Sequence, residues 1–383
     1  MSWWRFAIFG TVMGALSLAL HRYLWARLVR DVALPDPWGR LVTVALVAFA
    51  LLIPVVMIAS RALPRPVVTP LAWVAFTWMG LFFLLFAGTA AGDVVRMLTG
   101  ALETDEAKRL TMRRIIAGGV GLFAVVGGAI ALFEGNKIAA VKPVRVALKK
   151  LPASMNGLKI VQISDVHIGP TLGHDWLAGI VARINALAPD AVVITGDLVD
   201  GSVEELRAHT APLADLKAPL GVFFVTGNHE YYSGADAWIA ELRRLGVRVL
   251  RNERVELRRG EDVLDLIGID DATAHQFGRG HGADLQRAIA GRDDGRESIL
   301  LAHQPKQAAE AAGHGVGLVL SGHTHGGQIW PFTFLVRLQQ PYNAGLYRDR
   351  DTQIYVSRGT GYWGPPMRLG APAEITQLEL VRG

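Results

Sequence analysis

The stretch LKIVQISDVHIG, Leu158 to Gly169, reads as an apolar strand rich in β-branched residues that runs out into two polar side chains, Asp165 and His167. The same arrangement recurs downstream. AVVIT (191–195) is followed by Gly196-Asp197, and GVFFVT (221–226) by Gly227-Asn228-His229-Glu230. SILLA (298–302) leads into His303, and GLVLS (317–321) into Gly322-His323-Thr324-His325. LDLIGI (264–269) adds one more buried-type strand. Helix-like stretches at 175–187, 203–216, 235–245, 283–290 and 306–312 fall between several of these runs, and that alternation predicts an α/β domain with helices packed outside its sheets. Open α/β sheets gather ligands at strand C-terminal ends, so the five polar clusters can converge on one rim.

Each cluster alone has an ordinary reading. Asp-x-His can be a turn with a helix cap, Gly-Asp-Leu is a frequent turn, Asn228 suits a left-handed position, and His303 alone reads as a satisfied core or loop histidine. In an extended segment His323 and His325, at i and i+2, project to one side. Jointly the clusters ask for more. Of 11 histidines, five (His167, His229, His303, His323, His325) directly follow expected strands, beside Asp165, Asp197 and Asn228. Burying so many polar groups unpartnered costs roughly several kcal/mol each, whereas a pair of divalent cations satisfies them together. Cysteine is absent, so metal ligands must come from His, Asp, Glu or Asn.

The chain of 383 residues is 51% hydrophobic with a mean hydropathy of +0.29, more apolar than a soluble domain. The excess sits in four segments, 6–20, 41–59, 67–91 and 115–133. A membrane span needs ~20 mostly apolar residues. The expectation is four spans, at about 4–21, 41–59, 68–91 and 115–133, with Trp3 and Trp4 at the first interface and a kink at Pro54. Arg5 and the first run also fit a secretory signal; Ala19-Leu20-His21 is a poor cleavage site, and three more spans follow. None of the apolar segments 6–20, 41–59, 67–91 and 115–133 carries an ionisable residue, and Asp93 lies just past the third, so the bundle reads as an anchor and not a transport path.

Charge is just as uneven. Residues 1–134 hold 12 Lys+Arg and 7 Asp+Glu, and residues 135–383 hold 27 of each, so the net +5 lies in the membrane region and indicates no nucleic acid partner for the remainder. The first loop (Arg22, Arg27, Arg30, Arg40) and the third (Arg96, Lys108, Arg109, Arg113, Arg114) total 9 basic residues, against 3 for the N-terminus and second loop (Arg5, Arg61, Arg65). That asymmetry places both termini, and the downstream domain, on the extracytoplasmic face of the cell membrane. Including Lys137, Lys142, Arg145, Lys149 and Lys150 narrows the count to 9 against 8.

The series Asp165-x-His167, Gly196-Asp197, Gly227-Asn228-His229-Glu230, His303 and Gly322-His323-x-His325 resembles the motif set of the calcineurin-like metallophosphoesterases. ISDVHIG, GHTHGGQ and the closing PAEITQLEL resemble the membrane-associated branch of that superfamily. The resemblance implies a two-sheet β-sandwich flanked by helices. It divides the chain into a transmembrane region at 1–134, a linker and first strand at 135–157, and a metallophosphoesterase domain at 158–383. It also implies two divalent ions, Mn, Fe or Zn with Mg admitted, one held by Asp165, His167 and His325 and the other by Asn228, His303 and His323. Asp197 would bridge them and His229 would face the scissile phosphate.

The expected activity is hydrolysis of a phosphodiester or pyrophosphate bond by a multi-pass membrane enzyme. Its partners would be the bilayer and a phosphorylated small molecule or lipid head group, such as UDP-2,3-diacylglucosamine. A nucleotide-linked precursor belongs in the cytoplasm, which conflicts with the charge count. The alternatives are a general phosphodiesterase or phosphatase acting on nucleotides, or a metal-stabilised membrane sensor. A metallo-β-lactamase-type hydrolase expects His-x-His-x-Asp-His, and here Gly326-Gly327-Gln328 follows His325. Asp270 and Asp271 read as a solvated turn or as partners that orient a ligating histidine. Arg358 and Arg368, flanking GTGYWGPPM (359–367), read as packing residues or phosphate binders.

Overall fold

The computed structural model describes residues 3–59, 63–100 and 105–383; Arg61 and the side chains of Trp3, Trp4 and Arg5 lie outside the described residues. The chain divides into two compact units, Met1–Phe133 with Gly364–Met367, and Glu134–Trp363 with Arg368–Gly383.

The first unit is built of α1 (Trp3–Trp25), α2 (Trp38–Ala59), α3 (Arg65–Gly100) and α4 (Glu106–Gly135). Among the described residues three helices, α2, α3 and α4, are long and apolar enough to cross a membrane. Four spans were expected; α1 is not among these three, its apolar run ending at Leu20, short of the ~20 residues a span requires, before the same helix continues into His21 and Arg22. Pro54 lies inside α2 and Pro70 inside α3, and each helix continues past its proline. Asp93, the acid beyond the third apolar segment, is partnered: Tyr23 Oη donates to its carboxylate at 2.8 Å and Arg27 Nε at 3.1 Å.

The second unit opens with β1 (Ala140–Leu148) and β2 (Leu158–Ile163), followed by α5 (His174–Ala186), β3 (Ala191–Ile194), α6 (Val203–Thr210) and β4 (Val222–Phe224). Next come α7 (Asn228–Ser233), α8 (Ala235–Arg244), β5 (Arg248–Val249), β6 (Glu253–Arg259), β7 (Asp262–Gly268) and α9 (Leu285–Ile289). The last elements are β8 (Ser298–Leu301), α10 (Ala308–Gly313), β9 (Leu318–Ser321), α11 (Phe332–Gln339), β10 (Gly345–Asp349), β11 (Thr352–Val356) and β12 (Glu374–Arg382).

The strands form two six-stranded mixed sheets, β1-β12-β2-β3-β4-β5 and β10-β11-β9-β8-β7-β6. Period-two alternation of side chains along each strand explains the layering. Leu158, Ile160 and Val193 of the first sheet meet Ile299, Leu301, Leu318 and Leu320 of the second in one buried cluster between the sheets. Their neighbours point the other way. Val161, Ile163, Val192 and Ile194 pack with Leu177, Ile180 and Trp238 of α5 and α8, and Leu300 and Val319 pack with Leu285 and Ala308 of α9 and α10. Strands buried on both faces need near-continuous apolar runs, which is how they were visible in the sequence. β2, β3 and β4 are mutually parallel in the first sheet, as are β7, β8 and β9 in the second. Gln162 Nε2 donates to Ser321 O at 3.0 Å and ties the ends of β2 and β9 together across the sandwich. Polar residues that follow these ends are therefore brought to one place.

Candidate metal centre

Asp165 and His167 follow β2, Asp197 follows β3, Asn228 opens α7 after β4, His303 follows β8, and His323 and His325 follow β9. All of these but His323 are buried, and His323 is half-buried. Two groups of potential ligand atoms result among these residues, Asp165 with His167 and His325, and Asp197 with His303 and His323, and His167 also joins Asp200 and His229 in a third. His167 Nε2 stands 3.1 Å from His325 Nε2, and His303 Nε2 stands 3.2 Å from His323 Nδ1. Asp197 Oδ2 lies between the groups, 3.1 Å from His303 Nε2 and 3.9 Å from His167 Nε2.

The backbone is bent to bring these side chains together. Asp165, His167, Asp197, His323 and His325 all adopt left-handed conformations, with φ of 52°, 52°, 51°, 71° and 52°. Each such residue costs on the order of 1–3 kcal/mol and persists only where its surroundings over-determine it. The extended reading of His323-x-His325 is therefore wrong. The chain turns at His323 and enters a 3₁₀ turn at His325, so the two imidazoles reach different groups by curvature. Backbone donors hold the carboxylates. His323 N–H donates to Asp165 Oδ1 at 2.9 Å, and His229 N–H donates to Asp197 Oδ1 at 2.9 Å. Both donors approach so closely that a Cβ at Gly322 would strike Ser164 Oγ and the Asp165 carboxylate, and one at Gly227 would strike Asp197.

The donor set fits divalent cations. Asn228 Oδ1 is buried with no hydrogen-bond partner. Imidazole nitrogens face each other in pairs, and a ligating histidine must be neutral. Burial together with the neighbouring His303 charge pushes His323 down to about 4, whereas at His303 burial is outweighed by the Asp197 carboxylate and the imidazole is raised well above its ordinary value. Burial and His167 likewise lower His325 well below its ordinary value. Burial opposes ionisation of Asp197, but the surrounding histidines, His303 foremost, hold its carboxyl well below the usual range.

Two residues outside the expected set complete the centre. Asp200, three residues after Asp197, accepts from His229 Nδ1 at 2.6 Å and lies 3.1 Å from His167 Nδ1 through each oxygen. Burial alone would raise its carboxyl, yet the two imidazoles hold it well below the ordinary range. His229 responds in the opposite sense: burial lowers it, but Asp197 and Asp200 outweigh that and raise it to about 9. Glu230 is buried and accepts backbone N–H groups from Gly227 at 2.6 Å, Leu198 at 2.7 Å and Asp197 at 3.0 Å, fastening the β3 and β4 loops to each other. Burial and the Asp197 charge push its carboxyl up to about 7. The signal for Asp200 was a second carboxylate in the loop after β3.

Of the less certain residues, neither aspartate sits in a solvated turn or touches a clustered histidine. Asp270 is fully buried in a bidentate pair with Arg251 at 2.9 and 2.6 Å, and Asp271 accepts from Gln304 Nε2 at 2.9 Å and Thr273 N–H at 2.8 Å. Arg368 is fully buried and donates to the carbonyls of Arg358 at 2.7 Å, His325 at 3.0 Å and Ala371 at 3.2 Å. It staples the His325 turn to the loop after β11. Arg358 pairs with Glu374 at 3.4 Å. The exposed rings of Tyr232 and Trp363 flank His229, with centroids 5.3 and 5.5 Å from its imidazole.

Paired His and carboxylate clusters, at strand ends that a two-sheet sandwich brings together, mark a metallohydrolase domain. Residues 158–327 match the family profile for calcineurin-like phosphoesterases, and the chain belongs to that family. It is 37% identical over 328 residues to a transmembrane protein with metallophosphoesterase domain from Danio rerio, covering 81% of this chain and 74% of that one. The bovine protein of the same description is 44% identical over 287 residues, which cover 72% of this chain and 64% of the relative, so the chain spans less than two thirds of it. An uncharacterized metallophosphoesterase of Campylobacter jejuni is 32% identical over 385 residues, with 98% of each chain covered.

Proposed function

We propose that the chain is a membrane-anchored, two-metal phosphoesterase that hydrolyses a phosphodiester or pyrophosphate bond of a substrate presented at the bilayer. Asp165, His167 and His325 hold one cation, Asn228, His303 and His323 the other, and Asp197 lies between them. The observation that carries this reading is the buried, unpartnered Asn228 Oδ1 beside two tight His and carboxylate groups. Two such cations, when bound, lower the pKa of a shared water and neutralise phosphoryl oxygens during in-line attack.

The side chains do the rest. His229, its Nδ1 fixed by Asp200, presents Nε2 as a proton donor to the leaving oxygen, a contribution of about 10²–10⁴-fold for a poor leaving group. Tyr232 and Trp363 offer aromatic walls for an apolar or nucleobase portion of the substrate. Anchoring supports a membrane-borne substrate. Residues 136–139 alone separate α4 from β1, a reach of at most ~14 Å, so the domain is confined near the bilayer that α4 enters. A lipid pyrophosphate such as UDP-2,3-diacylglucosamine fits that confinement. In this reading α1 completes a four-span anchor, and the basic first and third loops put the domain on the extracytoplasmic face. A nucleotide-linked lipid would instead require the cytoplasmic face, and a reporter fused after Gly383 distinguishes the two.

The test is hydrolysis of bis(p-nitrophenyl) phosphate by the full chain, reconstituted in vesicles and supplied with Mn. Activity that requires the metal and is lost in Asn228→Ala supports the proposal. If neither Mn, Fe nor Zn elicits hydrolysis, and Asn228→Ala leaves the protein's cellular role intact, the sensor reading replaces it.

A further inference from the structure

α11 turns its apolar side away from the domain. Thr333 and Val336, three apart on one face, are its half-buried residues, and Thr333 Oγ1 donates to Gly326 O at 3.4 Å. The opposite face carries Phe334, Leu335 and Leu338, which are 58%, 52% and 81% exposed. A helix on a water-facing surface shows the reverse pattern. The surrounding sequence is equally unusual for such a surface: no acidic residue occurs between Gly326 and Arg348, while Arg337 and Arg348 are exposed, and the exposed Leu346 lies beside Arg348 in β10.

We infer that α11 is an interfacial helix that lays Phe334, Leu335 and Leu338 into the surface of the bilayer crossed by the chain's own helices. An apolar helix face flanked by arginines suits the boundary between acyl chains and anionic headgroups, where such helices sit about 5–10 Å deep. The short connection from α4 to β1 tethers the domain that carries α11 to the membrane segment. Docking would set the turn that carries His325 at headgroup level, because the inward face of α11 rests on that turn. This deepens the proposed function, and rests on it for the substrate class alone: an amphiphile whose phosphate lies at the interface and whose acyl chains stay in the membrane.

The chain has no cysteine, so single labels are clean probes. Full chain bearing Leu338→Cys, carrying an environment-sensitive dye, is reconstituted in phosphatidylcholine/phosphatidylglycerol vesicles. Glu310→Cys, on the exposed part of α10, is the reference. The dye at 338 is expected to shift to the blue, to be quenched by lipids carrying a nitroxide, and to be roughly three-fold less accessible to aqueous iodide than the dye at 310. Equal iodide quenching at both positions overturns the inference. Shielding from both quenchers also overturns it, since a second copy or another protein would then cover the face. In parallel, Phe334→Asp with Leu338→Asp is expected to slow hydrolysis of a vesicle-embedded lipid pyrophosphate about ten-fold while sparing soluble bis(p-nitrophenyl) phosphate. Unchanged hydrolysis of the embedded lipid overturns the role in substrate presentation. The fluorescence measurement needs no catalysis, so failure of the docking and failure of the phosphoesterase reading are told apart.

Discussion

Replacing Asp200 with asparagine should damage the centre twice over without changing its shape. One carboxylate serves two imidazoles, with Oδ1 2.6 Å from His229 Nδ1 and both oxygens 3.1 Å from His167 Nδ1. An amide supplies one acceptor and one donor group. One imidazole therefore keeps an acceptor, and the other faces an N–H and must take the opposite tautomer or turn away. Hydrogen bonds to charged partners contribute about 1.5–3 kcal/mol, equivalent to roughly 10–10²-fold in rate at His229. Loosening an outer partner of a metal-ligating histidine typically costs about 10–100-fold in metal affinity. Asp200→Asn is thus expected to lose about 10–10²-fold in kcat for an alkyl phosphodiester even at saturating metal, and to require more metal to saturate. A p-nitrophenolate leaving group needs little protonation, so its kcat at saturating metal should fall much less. The assay compares the two esters across a metal titration. Equal kcat losses for both esters, or an unchanged metal requirement, would refute the assignment of Asp200 to both histidines.

Other perturbations follow from the same geometry. Gly322→Ala places a methyl against Ser164 Oγ and the Asp165 carboxylate, both buried, and is expected to cost about 1–3 kcal/mol and most of the bound metal, read by thermal unfolding and elemental analysis. Glu230→Ala strands three backbone N–H groups at about 1–3 kcal/mol each, and should lower the melting temperature more than any substitution of exposed Tyr232 does. Arg368→Met removes a buried donor from four carbonyls, those of Arg358, Gly361, His325 and Ala371, and should weaken metal retention through the His325 turn, whereas Arg358→Met should leave retention near the parent's. A chelator should lower the melting temperature of the parent protein, with recovery on adding metal back, and should do little to a variant in which Asp165, Asp197 and His325 are all replaced by alanine.

How far the sequence reveals this molecule depends on burial. β3, β8 and β9 are covered on both faces and β2 is covered at all but Lys159, so their runs are nearly continuously apolar and their ends stand out. β6 escapes because Glu253, Arg254, Glu256, Arg258 and Arg259 alternate with its buried residues on the outermost strand of its sheet. β12 pairs with both β1 and β2, joining the chain's last strand to its sheet, an arrangement that no local pattern encodes. Strand ends were enough to single out Asp165, His167, Asp197, His303, His323 and His325 as side chains that would gather, because the parallel strands bring their ends to one rim. Conformation at those positions was not legible, and the left-handed turn at His323 contradicts the extended segment that the i, i+2 spacing suggests. Asp200 and Glu230 act through contacts between loops, at separations that spacing does not show. α11 lacks the polar outward face that would mark a surface helix, so FTFLVRLQ does not read as one from its pattern.

If two cations are held by two distinct sets of residues, the number of metal ions bound by the purified full chain and its variants will report it. The parent should carry about two divalent ions, His323→Ala and His325→Ala about one each, and Asp197→Ala fewer than either. If His323→Ala and His325→Ala together still leave about one ion, the two histidines share a single site. If the parent, after exposure to Mn, Fe and Zn in turn, binds none of them, the account fails.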